Sequence, residues 1–227
     1  MARIAFLGGT GSEGLGLALR FALAGEDVII GSRQAERAER GAETLRTRLH
    51  SAGTAAAVSG RDNAAAVAAA EIVALTLPFQ GVEPLLGEMA PALSGKIILD
   101  VVNRVVLRDG LFRIIPVPAG SAGELIQALV PRAQVVSGFK NLSAKELLGV
   151  NHPLQGDVLL CSDAPAATKY FVSLIRRIPT LRAVDAGALA NAQHLESITV
   201  LLLNLNRRYR AITSVQVLGI DRRPTEL

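Results

Sequence analysis

Residues 3–16 read RIAFLGGTGSEGLG. The first five have the length of a short apolar strand. They run straight into residues 8–16, of which five in nine are glycine. Within that run Gly9-Thr10-Gly11-Ser12-Glu13-Gly14 has the spacing G-x-G-x-x-G. The pattern alone is a weak signal. It gains force from its setting, directly after a strand and at the opening of a helix over about residues 15–23. There Gly9 permits a tight turn and Gly11 lets backbone N–H groups approach a pyrophosphate. Gly14 lets the helix pack close on the strand, and the helix N-terminus meets the phosphates. Glu13 is the odd member, an acid beside the place for an anion. It occupies a variable position in the first helical turn, where the helix dipole favours a carboxylate. Its side chain is expected to point away from the phosphates.

Outward from this loop, strand and helix patterns alternate. Strand 27–31 is followed by a charged helix 34–49, a loop or weak strand 51–60, and an alanine-rich helix 63–70 capped by Asp62 or Asn63. EIVALTLP, 71–78, is a strand halted by Pro78. A helix over 81–93 and a strand over 96–102 follow. SAGELIQALV, 121–130, opens with Ser121 and Glu124 at capping-box spacing. Strands are expected at 133–139, 156–162 and 181–187, a helix at 164–178, and one long amphipathic helix from Ala188 to Arg210. This rhythm predicts an α/β protein, a Rossmann-type doubly wound, mostly parallel sheet with a small C-terminal helical and mixed part. The division expected is a dinucleotide-binding domain over 1–150 and a smaller part over 151–227. Strands 157–161 and 181–185 either belong to that part or extend the first sheet. Thr76, Leu77 and Pro78 end a strand on the face where such sheets bind ligands, which marks them as cofactor contacts.

The end of the second strand selects the dinucleotide. An NAD site needs an acid about 20 residues past the glycine motif to hold the ribose 2′-hydroxyl. Here the strand ends in Gly31-Ser32-Arg33, with Arg37 one helical turn on. A guanidinium can pair with a 2′-phosphate and stack on adenine, whereas a carboxylate would repel the phosphate. The expected cofactor is NADP(H).

Composition narrows the remaining classes. The chain has 227 residues, 50% hydrophobic, with no Trp and a net charge of +4. The positive surplus is scattered and has little aromatic interleaving, so nucleic acid is not an expected partner. The single cysteine, Cys161, excludes an internal disulfide and reads as a buried strand residue. LESITVLLLNLN is too short to span a bilayer and no leader is visible, so a cytoplasmic location is expected. One Cys and three scattered His make no metal site. Neither Tyr170 nor Tyr209 has a Lys four residues on, and His50, His152 and His194 have no acid at an obvious spacing. So little acid–base machinery suits a reaction whose second substrate is itself a hydride carrier.

IAFLGGTGSEGLGLALRFALAGEDVIIGSR resembles the start of the NADPH:F420 oxidoreductases. The likeness continues through EIVALTLPF, GSAGE, VVSGF and VDAGALANAQHLESITVLLLNLN. It covers most of the chain, and the last stretch is the most specific. It implies a homodimer passing hydride reversibly between NADP(H) and the deazaflavin coenzyme F420, with a C-terminal part that helps form the deazaflavin pocket. It also implies that Thr10, Gly11 and Ser12 meet the pyrophosphate, and that Ser32, Arg33 and Arg37 hold the 2′-phosphate. Asn191, Glu196 and Ser197 match the family's last-helix motif. Two departures concern the second substrate. Lys140 stands where the family commonly has a His near the rings, which makes it the candidate to serve the acceptor ring. Segment 103–118 is unlike the family's proline-rich stretch, and its Arg104, Arg108 and Arg113 read either as contacts to the anionic tail of F420 or as solvated surface charges. Two other readings stay open at this stage. One is an NADPH-dependent reductase of a small imine or carbonyl compound, with Lys140 as proton donor. The other is a non-catalytic NADP(H)-binding redox sensor.

Overall fold

Alternating apolar strands with short glycine-rich turns fold as their patterning requires. The computed structural model describes residues 2–149 and 154–220. It runs β1 (Arg3–Leu7), α1 (Ser12–Leu23), β2 (Asp27–Ser32), α2 (Ala35–Ser51), β3 (Val58–Asp62), α3 (Asn63–Ala69), β4 (Ile72–Leu75), α4 (Val82–Met89) and β5 (Ile97–Asp100). The second half adds β6 (Val105–Arg108), β7 (Leu111–Ile114), α5 (Ala122–Leu129), β8 (Gln134–Gly138) and the single turn α6 (Ala144–Leu147). It ends with β9 (Gly156–Cys161), α7 (Pro165–Ile175), β10 (Leu181–Asp185) and α8 (Ala192–Tyr209).

Eight strands form one sheet in the order β10-β9-β8-β5-β4-β1-β2-β3. All neighbours pair in parallel except β8 with β9. The chain winds outward from β1 to β2 and β3 on one side, and through β4, β5 and β8 on the other. The strand ends of β1 and β4 therefore flank a topological switch point, where a crevice forms. This is the expected Rossmann-type, mostly parallel architecture. β9 and β10 continue the same sheet. The domain boundary expected near residue 150, together with His152, lies outside the described residues, as does the tail 221–227.

Period-two alternation on β1 sends Ile4 and Phe6 to one face and Ala5 and Leu7 to the other. The first pair packs with Leu17, Phe21, Ile30 and Phe171, the second with Val73, Leu75, Leu86 and Ile126. Phe6, Phe21, Phe139 and Phe171 form a chain of ring contacts with centroids 5.5, 5.3 and 6.5 Å apart. Arg20 on α1 is buried and donates to the carbonyls of Leu147 (2.9 Å) and Glu146 (3.0 Å), which fixes α6 against α1. Asp62 caps α3 by accepting from the Ala65 N–H at 2.9 Å. Ser121 Oγ caps α5, accepting from the Glu124 N–H at 3.0 Å. Cys161 is fully buried on β9, and burial pushes its thiol up to about 12.

Three local readings shift. The weak strand of 51–60 forms later, as β3. The helix over 81–93 ends at Met89, after a 3-10 turn at Phe79–Gly81. Segment 103–118 contains the hairpin β6–β7, whose turn holds Asp109 at φ 51° and Gly110 at φ 76°. Asp-Gly suits a two-residue turn with both φ positive, so the dipeptide was an available signal.

The C-terminal segment runs back over β9, where Val217 N–H donates to Asp157 Oδ2 at 2.6 Å. Asp157 also accepts from Arg182 Nε (2.8 Å) and Nη2 (2.6 Å). The Arg182 guanidinium, with the Val217 N–H, outweighs burial and holds this carboxyl below its ordinary value. A lowered carboxyl contributes stability above its unfolded pKa and loses it as pH falls through the folded value. Asp157→Asn is therefore expected to lower Tm at neutral pH, with the deficit relative to wild type closing below about pH 4. Thermal melts from pH 7 to 2.5 check this, and a pH-independent deficit contradicts it.

Candidate functional site

The loop after β1 is shaped by contacts that leave no room for side chains. A Cβ on Gly14 would lie 2.6 Å from Gly9 Cα and 2.7 Å from Thr76 Oγ1, so α1 packs directly on the loop and on the end of β4. Gly11 differs: a Cβ there would meet only Gly8 O, at 3.6 Å. Its outer side is open, and a side chain would fill the space a phosphate needs. Gly11 is the N-cap of α1 and no side chain caps that helix, so its first N–H groups are available to an anion. Thr76 ties the far wall to β1, its N–H and Oγ–H both donating to Leu7 O at 2.9 Å.

Two cavities meet across this loop. One, of about 620 Å³, is lined by Thr10, Gly11, Ser32, Arg33, Arg37, Asn63 and residues of α4. Ser32 is buried, while Arg33 and Arg37 are exposed at its rim. Neither arginine side chain makes an ion pair or hydrogen bond with another described residue. Asn63 Oδ1 is buried there without a partner. The cap of α3 is Asp62, which leaves Asn63 free to face the cleft. The second cavity, of about 480 Å³, is lined by Ser12, Glu13, Asn103, Lys140, Asn141 and Thr199, among others. Gly11, Thr76, Leu77 and Pro78 line both cavities and form their junction. Asn103 Oδ1 in the second cavity is likewise buried and unpartnered. Two orphaned acceptors and an open phosphate cradle fit an elongated polar ligand that crosses from one cavity to the other.

Apart from the junction residues Gly11, Thr76, Leu77 and Pro78, the sequence-marked residues divide into three groups. Thr10, Ser32, Arg33 and Arg37 line the first cavity, and Ser12, Glu13 and Lys140 line the second. Gly9 and Gly14 lie beneath the loop as packing surfaces. Glu13 lines the second cavity and is partly exposed, and its side chain makes no hydrogen bond or ion pair with a described residue. Burial pushes its carboxyl up to about 7, against the opposing pull of Lys140.

Lys140 has a second set of partners that its sequence context does not reveal. Its side chain has no solvent exposure, and Nζ lies 2.8 Å from Asp100 Oδ2 and 3.7 Å from Glu196 Oε1. It also donates to Val102 O. Arg104 Nε contacts Glu196 Oε2 at 2.5 Å, and the Ala122 N–H donates to Glu196 Oε1 at 2.9 Å. Ser137 Oγ donates to Asp100 Oδ2 at 2.6 Å. Two cations and two anions therefore balance inside the protein. Phe139, just before Lys140, takes a left-handed backbone (φ 58°), unusual for a bulky residue, as the chain leaves β8.

Arg104 is accordingly neither a tail contact nor a solvated surface charge: it is interior, unlike Arg108 and Arg113, which are exposed on the hairpin. Of the last-helix motif, Glu196 is buried in this cluster, Ser197 is exposed, and Asn191 Nδ2 donates to Ala186 O at 2.6 Å. His194 is exposed. Among the described residues no group of His, Cys, Asp and Glu is arranged to hold a metal ion, and no helix is long and apolar enough to cross a membrane.

Sheet order, glycine loop and paired cavities define a Rossmann-type dinucleotide-binding architecture. Comparison with known proteins makes the class specific. Residues 3–104 match the family described as NADP oxidoreductase, coenzyme F420-dependent. The F420-dependent NADP reductase of Methanothermobacter marburgensis is 40% identical over 217 residues, 92% of this chain and 94% of that protein. That of Methanocaldococcus jannaschii is 34% identical over 222 residues, 96% and 99%. A crystal structure from Arthrobacter sp. FB24, of a candidate F420-dependent NADP reductase, superposes with a TM-score of 0.79. It has 24% identity and covers 96% of this chain and 100% of that one, a likeness of fold. The chain belongs to the family of coenzyme F420-dependent NADP oxidoreductases.

Proposed function

We propose that this protein transfers hydride reversibly between NADP(H) and the deazaflavin coenzyme F420. The observation that carries the reading is the junction of the two cavities at Gly11 and Thr76–Pro78, in a chain 40% identical to an F420-dependent NADP reductase over nearly its whole length. When bound, the dihydronicotinamide supplies the hydride and the deazaflavin ring accepts it.

The chain's own residues position, neutralise and exclude water. The N–H groups at the start of α1, with Thr10, Gly11 and Ser12, cradle the pyrophosphate. Ser32, Arg33 and Arg37 hold the 2′-phosphate at the rim of the first cavity. Asn63 accepts a hydrogen bond from the adenosine part, and Asn103 accepts one from a ring amide in the second cavity. Thr76, Leu77 and Pro78 form the wall against which the nicotinamide lies. Holding two rings face to face supplies most of what direct transfer needs. The buried Lys140–Asp100 and Arg104–Glu196 pairs tie the ends of β5 and β8 to α8 and keep this wall rigid. Mixing protein, NADPH and oxidised F420 should bleach the visible band of the deazaflavin. A band that does not move while NADPH binds overturns the choice of acceptor.

The same reading extends to a homodimer. Leu107 and Leu111 on the β6–β7 hairpin and Leu201 on α8 are 50%, 51% and 57% exposed. The hairpin is docked on α8 through Asn204, which accepts from the Phe112 N–H at 2.9 Å and donates to Phe112 O at 3.0 Å. This apolar surface is the proposed contact. Leu201→Asp should shift the sedimentation coefficient from dimer to monomer. A monomeric wild type contradicts the proposal.

A further inference from the structure

The hydride reaches the acceptor with a charge-balance problem. Deazaflavin reduction adds a hydride at a ring carbon and a proton at a ring nitrogen, so a proton must be delivered in the same cavity. Lys140 is badly placed to give it, because its ammonium is enclosed between Asp100, Glu196 and Val102 O. Among the described residues the other titratable side chain lining the cavity is Glu13. It opens onto the cavity beside Ser12 and the junction residues, and it has no hydrogen bond or ion pair with a described residue to hold its proton state.

We propose that Glu13 is a catalytic acid–base residue for the deazaflavin, delivering the proton that accompanies the hydride and recovering it in the reverse direction. The proposal rests on the functional reading above. The dihydronicotinamide C–H bond breaks as a C–H bond forms on the acceptor ring. The Glu13 O–H bond breaks as a ring N–H forms, directly or through one water. The Glu13 carboxylate then takes a proton from solvent.

Burial, with the weaker opposing pull of Lys140, puts this carboxyl at about 7, where it exchanges a proton readily in either direction. Lys140 at the end of β8 is the facing cation, with Asp100, Arg104 and Glu196 paired behind it. On α6, packed against α1, Lys145 is exposed and Glu146 is half-buried. Arg20 on α1 is committed to α6 carbonyls, and Arg37 on α2 lines the other cavity.

The test uses wild type, Glu13→Gln and Glu13→Asp. Single-turnover reduction of F420 by bound NADPH should fall about 100-fold in Glu13→Gln, within the usual range for removing a general acid. The pH dependence near 7 should vanish in that variant. Glu13→Asp, which keeps a carboxyl, should recover at least tenfold of the loss. A second readout needs no ligand. A carboxyl whose folded pKa is raised loses stability as pH climbs from the unfolded value through the folded one. Wild type should therefore lose Tm relative to Glu13→Gln between pH 5 and 8. Equal turnover and parallel pH profiles for wild type and Glu13→Gln overturn the proposal. So does a Glu13→Gln rate loss that Glu13→Asp does not relieve. A wild type that binds NADPH without reducing F420 fails the functional reading instead, and the Tm comparison still reports on the Glu13 proton.

Discussion

Lys140→Met is expected to lower stability by about 3–5 kcal/mol, the usual cost of removing one partner from a buried ion pair. For a chain of this size that is a fall in Tm on the order of 10 °C. Lys140 lies between Asp100 and Glu196 with no solvent exposure, and Arg104 pairs with Glu196 alongside. Removing the ammonium leaves one guanidinium against two carboxylates. Asp100 also accepts from the Val102 N–H at 2.9 Å and from Ser137 Oγ, so it cannot simply turn to water. Lys140→Met combined with Asp100→Asn restores the charge balance and keeps an acceptor for Val102, and should recover more than half of the lost stability. Thermal and urea melts of the single and double variants measure this. A double variant no more stable than the single one contradicts charge balance as the cause. The same burial separates Lys140 from direct proton donation, and its loss is expected to act through the fold.

Replacing Arg33 and Arg37 together by Ala should raise KM for NADPH by roughly 30-fold, about 2 kcal/mol, with KM for NADH nearly unchanged. Each arginine supplies a charge-assisted contact of about 1.5–3 kcal/mol in a sheltered site. Both stand at an exposed rim, where solvent screening lowers each to about 1 kcal/mol. Raising the salt concentration should narrow the difference between wild type and variant for NADPH and leave NADH alone. Initial rates with both nucleotides at two ionic strengths decide this. Equal losses for NADPH and NADH would mean that the arginines support the fold and do not read the 2′-phosphate.

How much of this was readable from the sequence depended on range. The glycine loop was legible because its constraints are local: Gly14 packs against Gly9, five residues away, and the helix starts within the motif. The placement of Ser32 and Arg33 at the first cavity was legible because the end of β2 lies beside the loop in every doubly wound sheet. The Asp-Gly turn of the hairpin carried a local signal that an expectation about segment 103–118 obscured. The buried charge cluster was different in kind. Asp100, Arg104, Lys140 and Glu196 come from the end of β5, the following loop, the end of β8 and α8, and no spacing connects them. Lys140 therefore read as a ligand contact and Arg104 as either a ligand contact or a solvated surface charge, since an isolated cation in sequence gives no sign of a distant carboxylate. Glu13 was read by helix-dipole logic, which explains why an acid is tolerated there. It does not foresee a second cavity closing over it, which depends on where β8 and α8 end.

The central claim is direct hydride transfer between the two cofactors. Incubating the protein with oxidised F420 and NADPH deuterated at the transferable ring position, then weighing the reduced deazaflavin, tests it most directly. The account predicts one deuterium per reduced ring, with no wash-out into water, from one of the two faces of the nicotinamide. Reduced F420 that carries solvent hydrogen at that carbon with both nicotinamide faces tested, or no reduced F420 at all, would contradict it.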